Sequence, residues 1–212
     1  MNKIRAILLL GPPGSGKTPL GEYLAGQKFG QSRVFHFDFG QQLRELLKKG
    51  AEEGFSQEEI KRIEQAVSRA RLFEREDRHL VIKILDHFIK SCQLVQEDWM
   101  VLNGLPRHEE QVKWLCPIVD IKLVVSLACP PEVSIKRILS TEVEDRSGRK
   151  DDSLEIISAR YRIYRERTRP LLDYFADHKT PVVELQVGET TGPADLWHRL
   201  MASQSFRKII SN

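Results

Sequence analysis

Residues 6–18 read Ala-Ile-Leu-Leu-Leu-Gly-Pro-Pro-Gly-Ser-Gly-Lys-Thr, an apolar run that breaks into a glycine-rich turn and closes on Lys17 and Thr18. The spacing Gly11-x-x-x-x-Gly16-Lys17-Thr18 fits a P-loop, where a buried parallel strand ends and a helix begins around a polyphosphate. Glycine at positions 11, 14 and 16 lets the backbone approach phosphate oxygens, so that successive N–H groups point inward. The first turn of the following helix favours the same anion. Lys17 is placed to bridge the β- and γ-phosphates, and the Thr18 hydroxyl to ligate Mg²⁺. Pro19 is compatible, because the first helical turn has N–H groups without partners inside the helix and proline lacks only that donor. Gly11, Pro12, Pro13, Gly14, Ser15, Gly16, Lys17 and Thr18 are therefore the expected triphosphate cradle.

The remainder must supply the sheet that such a turn requires. A chain of 212 residues suffices for one α/β domain with insertions that buries most of its apolar surface. Hydrophobic residues at 41% and charged ones at 30% place it among ordinary globular proteins rather than disordered or fibrous chains. A formal charge of +3 does not call for nucleic acid, although 33 basic residues leave room for a local cationic site. Cys92, Cys116 and Cys129 lack metal-ligand spacing and are expected as buried free thiols in a reducing cytoplasm. Lys3 and Arg5 before a short apolar run have the look of a leader peptide. The run feeds straight into the glycine-rich turn, however, and is read as the first strand. No stretch approaches the roughly 20 apolar residues of a membrane helix.

Strand-like runs at 4–10, 33–37, 99–102, 121–127 and 181–185 alternate with helical patterns. That alternation predicts an α/β fold with a doubly wound, five-stranded parallel sheet flanked by helices, one domain over 1–212. Between the second and third strands lies a long helical stretch, 40–96. In it Ser56-Gln57-Glu58-Glu59 forms a capping box, followed by Ile60, Ile63, Val67 and Ala70 at helical spacing. Leu80, Val81, Ile84, Leu85 and Phe88 form a second stripe. Both stripes read as packing faces rather than binding surfaces. So long an excursion is expected over the carboxyl edge of the sheet, where ligands bind.

Four stretches, in this order, carry a resemblance: Gly11-Pro12-Pro13-Gly14-Ser15-Gly16-Lys17; His36-Phe37-Asp38-Phe39-Gly40-Gln41-Gln42-Leu43-Arg44; Asn103-Gly104-Leu105-Pro106-Arg107-His108-Glu109-Glu110-Gln111; and Gly148-Arg149-Lys150-Asp151-Asp152 with Glu155, Arg160, Tyr164, Thr168, Pro170 and Leu171. From Ile4 to about Leu185 the chain resembles the adenylate kinase family of nucleoside monophosphate kinases. The resemblance implies a P-loop kinase with a helical acceptor-binding insertion over 40–96 and a short lid over 138–152. ATP and an AMP-like nucleoside monophosphate are the implied partners, with Mg²⁺ as cofactor. Neither nucleic acid nor membrane is implied, and the protein would be a cytoplasmic monomer. By the same resemblance Arg44 and Arg107 clamp the acceptor's α-phosphate, while Arg149 and Arg160 reach the transferring group from the lid side and Lys17 from below. Arg137 would contact the donor's base or phosphates, and Phe39, Gly104 and Gln111 would lie against the acceptor nucleotide. Arginine suits these roles because its planar fork bonds phosphate bidentately and stays charged at any working pH. No general base is required, since a phosphate oxygen is already a nucleophile. Asp151 and Asp152 are expected to hold lid arginines and to cap the helix that follows. About fifteen residues separate Ile135 from Lys150, with no Cys or His at metal spacing, which excludes a zinc-bearing lid.

Several residues depart from the family pattern. Asn103 stands where the family has a carboxylate that holds Mg²⁺ through water, leaving Thr18 as the expected metal ligand and Asn103 as a weaker one through water. A second lid arginine, expected near Ser140 or Thr141, is missing, with Arg146 within reach of the same phosphates. Phe39 replaces a threonine near the acceptor base, and Asp38 lies beside it. Gln111 offers both donor and acceptor to a base edge, a pattern that suits adenine. Two other functions stay open at this point. One is a kinase of a small hydroxyl metabolite with Asp38 as general base. The other is a nucleotide-binding regulatory protein weakened by Asn103 and the missing arginine.

Overall fold

A computed structural model describes residues 3–140 and 154–211. Strands β1 (Ile4–Leu10), β2 (Val34–Asp38), β3 (Trp99–Asn103), β4 (Val119–Ala128) and β5 (Val182–Gln186) form one sheet in the order β2-β3-β1-β4-β5, parallel throughout. The P-loop strand β1 is central, and both of its faces are covered, which is why it reads as an unbroken apolar run. Ala6, Leu8 and Leu10 face a core shared with Leu80, Ile84, Leu85 and Phe88 of α4 (Arg78–Ser91) and Leu171 and Phe175 of α8 (Leu171–Asp177). Ile7 and Leu9 face a second core with Leu20 and Leu24 of α1 (Lys17–Ala25), Leu196 and Leu200 of α9 (Pro193–Ala202) and Phe206 of α10 (Gln204–Ile210). Leu8 is fully buried; truncation to alanine there is expected to cost about 2–5 kcal/mol.

The connection from β2 to β3 divides into two parts. One is the crossover itself: α4, with its stripe Leu80, Val81, Ile84, Leu85 and Phe88 in the core, returns the chain from the carboxyl edge to the amino edge, where β3 begins. The other is an excursion on the carboxyl edge, made of α2 (Phe39–Lys49), α3 (Gln57–Ser68) and a short 3₁₀ turn (Arg75–Asp77). Asp38 caps α2, its Oδ1 accepting from Gln41 N at 2.9 Å. Ser56 caps α3 through the expected capping box, with Glu59 N to Ser56 Oγ at 3.2 Å and Ser56 N to Glu59 Oε2 at 2.7 Å. After β3 come α5 (Glu109–Leu115), β4 and α6 (Pro131–Leu139). Beyond the undescribed segment, α7 (Leu154–Ile163) continues through a wide turn of π-helix (Tyr164–Thr168) into α8.

The observed strands match the expected runs except at their ends. Both β2 and β3 extend one polar residue beyond the apolar pattern, to Asp38 and Asn103. β4 begins two residues early, at Val119, and its register with β1 shifts between Ala6 and Ile7. The three thiols are free, but only Cys129 is buried; Cys92 is half-buried and Cys116 exposed, because it follows the last residue of α5 at the surface. Of the expected lid, 138–139 belong to α6, whereas Arg146, Arg149, Lys150, Asp151 and Asp152 lie outside the described residues.

Candidate active site

The glycine-rich turn joins β1 to α1 and is braced from α6. Gly14 and Gly16 take φ of +78° and +87°, and a Cβ at Gly14 would stand 2.7 Å from the Ser134 carbonyl oxygen, so a side chain there meets both strain and backbone. The Ser134 hydroxyl donates to the Pro13 carbonyl. Arg137 Nε donates to Gly14 O at 3.0 Å, and its Nη1 reaches the carbonyls of Gly188, Glu189 and Thr191 at 2.9, 3.0 and 2.9 Å. Arg137, expected against the donor nucleotide, thus lines the cavity while bracing the turn against 188–191. Lys17 Nζ donates to the carbonyls of Gly11 and Pro12 at 2.7 and 2.8 Å, which holds its charge over the turn.

Below Lys17 three buried polar side chains meet. Thr18 Oγ1 donates to Asp38 Oδ2 at 2.6 Å, and Asn103 Nδ2 donates to the same Oδ2 at 2.7 Å and to Thr18 Oγ1 at 3.1 Å. Asp38 and Asn103 are register partners at the ends of neighbouring strands, and Thr18 lies in the first turn of α1, so the sheet's carboxyl edge brings them together. Burial drives the imidazole of His36, two residues before Asp38, below its ordinary value, against a smaller upward pull from the Asp38 charge. Among the described residues, His36 Nε2 is the buried side-chain polar atom without a hydrogen-bond partner.

On the other side of the cavity, Arg107 is fixed at both ends. Its Nε donates to Gly104 O at 2.9 Å and its backbone N–H to Gln111 Oε1 at 2.7 Å. Gln111 Nε2 donates to Phe73 O at 3.0 Å, with His108 Nε2 at 3.2 Å from the same carbonyl. Gln111 therefore ties Arg107 to the excursion, and an amide carries one further proton and one further lone pair beyond these two bonds. Phe39 and Phe73 pack edge to face, their centroids 5.4 Å apart, and with Leu43, Val67 and Leu72 they form an apolar wall. Arg160, Ile163, Tyr164 and Thr168 close the cavity from α7 and the π-turn. Burial raises the Tyr164 phenol above its ordinary value, so it faces the cavity as a neutral group.

One cavity thus collects Gly11, Pro13, Gly14, Gly16, Lys17, Thr18, Phe39, Arg44, Asn103, Gly104, Arg107, Gln111, Arg137 and Arg160. Pro12 and Ser15 stand behind its wall, Pro12 giving a carbonyl to Lys17 and Ser15 fully buried. Arg149 lies outside the described residues. Of the stripe expected as a packing face, Ile63 is buried in the core and Ile60 and Val67 pack against it, while Val67 and Ala70 also line the cavity, because the helix ends at its wall. Arg71, Leu72 and Phe73 also line it without any motif to announce them, and they follow Ala70, whose φ of +50° turns the chain toward the site. Among the described lining residues Lys17, Arg44, Arg71, Arg107, Arg137 and Arg160 are cations, Arg71 being paired with Glu76 and Asp77, and Asp38 is the single carboxylate. Such a field concentrates polyanions.

A family model described as adenylate kinase matches residues 9–180. The chain is 33% identical over 178 residues to an adenylate kinase of Prochlorococcus marinus strain MIT 9301, covering 81% of this chain and 84% of that protein. It is 30% identical over 174 residues to the adenylate kinase of strain MIT 9515, covering 80% and 83%. With UMP-CMP kinase 3 of Arabidopsis thaliana it shares 29% over 175 residues, covering 82% and 77%.

Proposed function

This chain belongs to the adenylate kinase family, and on that footing we propose that it transfers the γ-phosphoryl group of ATP to a nucleoside monophosphate, AMP-like in the first instance, yielding two diphosphates. The observation that carries the reading is the convergence of Lys17 and Thr18 with Arg44, Arg107 and Arg160 on one cavity between the P-loop and the excursion. A monophosphate oxygen attacks the γ-phosphorus, the bond from that phosphorus to the β,γ-bridging oxygen breaks, and ADP leaves with the electron pair. Charge builds on the oxygens of the transferred group, so fixed cations act where it develops. Lys17 supports that charge from the P-loop side and Arg160 from α7, while Arg44 and Arg107 hold the acceptor's phosphate. By the family pattern Arg149 would support the same charge.

Thr18 and Asp38 present the oxygen donors that a hard divalent cation takes, and the described residues contain no cluster of three or more His, Cys, Asp or Glu that would cage it. They are the residues that would hold Mg²⁺, which when bound neutralises phosphate charge. Asp38 Oδ2 already accepts from Thr18 and Asn103, which speaks against a general base for a hydroxyl acceptor. The retained donor and acceptor of Gln111 support an adenine-like base.

A coupled assay with ATP, Mg²⁺ and a panel of AMP, UMP, CMP, GMP and the deoxynucleotides tests the reading. Turnover with at least one monophosphate, AMP foremost, is expected. ATP binding without turnover across the panel would overturn it in favour of a regulatory protein.

A further inference from the structure

Resting on the Mg²⁺–ATP reading above, we infer that the negative charge serving the divalent cation resides on Asp38 at the end of β2, with Asn103 at the end of β3 as its positioning residue, so that the two side chains form an exchangeable pair. Asp38 is the one carboxylate among the described residues lining the cavity. Its Oδ2 stands 2.6 Å from Thr18 Oγ1 and takes that hydroxyl's single proton. The Thr18 oxygen keeps its lone pairs, one accepting from Asn103 Nδ2 at 3.1 Å and the other left for a cation. A hydroxyl that donates to a carboxylate is a better ligand than one that donates to water, because the charge behind it strengthens the oxygen's basicity.

Chemistry fixes the orientation of Asn103. An ionised carboxylate only accepts, so the amide atom 2.7 Å from Asp38 Oδ2 must be the NH₂ group, which leaves Asn103 Oδ1 on the opposite side. Aspartate at 103 in place of this amide would set two carboxylate oxygens at that distance, where they must share a proton or repel. A carboxylate at 38 therefore requires a donor at 103, and the register pairing of Asp38 with Asn103 makes the requirement direct. The other oxygen of Asp38, Oδ1, caps α2, the helix that carries Arg44. One carboxylate thus links the cation subsite to the helix of the acceptor arginine.

The test titrates Mn²⁺, followed by electron paramagnetic resonance, into four forms of the full chain saturated with a non-hydrolysable ATP analogue: wild type, Asp38→Asn, Asn103→Asp and the double exchange. Asp38→Asn keeps an efficient helix cap and should lose about 10–100-fold in Mn²⁺ affinity, with metal-free nucleotide binding changed far less. Asn103→Asp should bind Mn²⁺ no tighter than wild type. The double exchange should recover most of the affinity that Asp38→Asn loses. Unchanged Mn²⁺ affinity in Asp38→Asn, tighter binding in Asn103→Asp, or a double exchange as weak as Asp38→Asn would each overturn the assignment. If Asp38→Asn does not fold, Asn103→Asp and the exchange decide. A wild type that binds the analogue but no Mn²⁺ with it would overturn the Mg²⁺–ATP reading as well.

Discussion

Strands β2 and β3 carry an aspartate at each edge of the sheet, one outside the cavity and one lining it. At the amino edge Asp98, just before β3, is clamped by Arg33, just before β2, with Nε to Oδ1 at 3.0 Å and Nη2 to Oδ2 at 2.6 Å, and Val95 N–H adds a bond at 2.9 Å. Burial alone would raise the Asp98 carboxyl, but the Arg33 fork and the Val95 N–H outweigh it and hold it below the usual carboxylate range. At the carboxyl edge Asp38 accepts from a hydroxyl, an amide and a backbone N–H. A fork of matching charge closes a carboxylate off and fastens two strands together. The Thr18 hydroxyl, the Asn103 amide and the Gln41 N–H hold the Asp38 carboxylate at the mouth of the cavity, where the proposed function has it serve a cation. On the proposed function, the same residue type on the same pair of strands fastens them together at one end and serves the cation subsite at the other.

The strongest way to break this contrast is to remove a charge at the carboxyl edge. Lys17→Ala is expected to lower turnover on the order of 10³-fold, since its charge serves the transition state more than bound substrate. Steady-state rates at saturating substrates check this, and near-normal turnover would remove Lys17 from the chemistry. Next in size, Arg107→Lys keeps the charge but loses the fork and the Nε bond to Gly104, and should cost roughly 10–100-fold in kcat/KM for the acceptor. A change confined to the KM for ATP would mean that Arg107 faces the donor instead.

At the amino edge the effect should move from rate to stability. Asp98→Ala should lower the melting temperature by roughly 4–8 °C while turnover at saturating substrate stays within about twofold of wild type. Loss of turnover in the folded variant would show that the two edges are coupled. Because the folded Asp98 carboxyl lies below its unfolded value near 3.9, its contribution is present above about pH 4 and is lost as the pH falls through the folded value. The gap in urea midpoint between wild type and Asp98→Asn should therefore close below about pH 4. The smallest effect belongs to His36, whose lowered value keeps it neutral when folded, so the unfolded chain gains a proton first as the pH falls below about 6.5. Stability should decline there, and His36→Gln should flatten the decline; parallel slopes would mean the ring gains a partner on protonation.

How far the site can be read from sequence depends on range. The P-loop, the Ser56 capping box and the apolar cores of all five strands follow local patterns of a few residues, and they stand where those patterns put them. The apolar criterion ends β2 and β3 at Phe37 and Leu102, one residue short of Asp38 and Asn103. The two polar residues it leaves out meet Thr18 at the heart of the site, because parallel register aligns positions 65 residues apart. Arg137 is legible as a residue of the site but not as a brace, since its bonds go to main-chain carbonyls that leave no mark in composition. The same holds for the Phe73 carbonyl that receives Gln111. No residue pattern marks the π-turn at Tyr164–Thr168.

The excursion formed by residues 39–77 leaves β2 and rejoins the chain at α4 on one and the same edge, while α4 alone spans the sheet to β3. The sheet accordingly imposes little on the excursion's length, and lengthening a loop costs only slowly rising entropy. On the proposed function, natural drift can then rework the cavity wall of Val67, Leu72 and Phe73 as a cassette, leaving donor binding to the fixed demands of the P-loop. A lineage built on such a plan would diversify its monophosphates before its triphosphate.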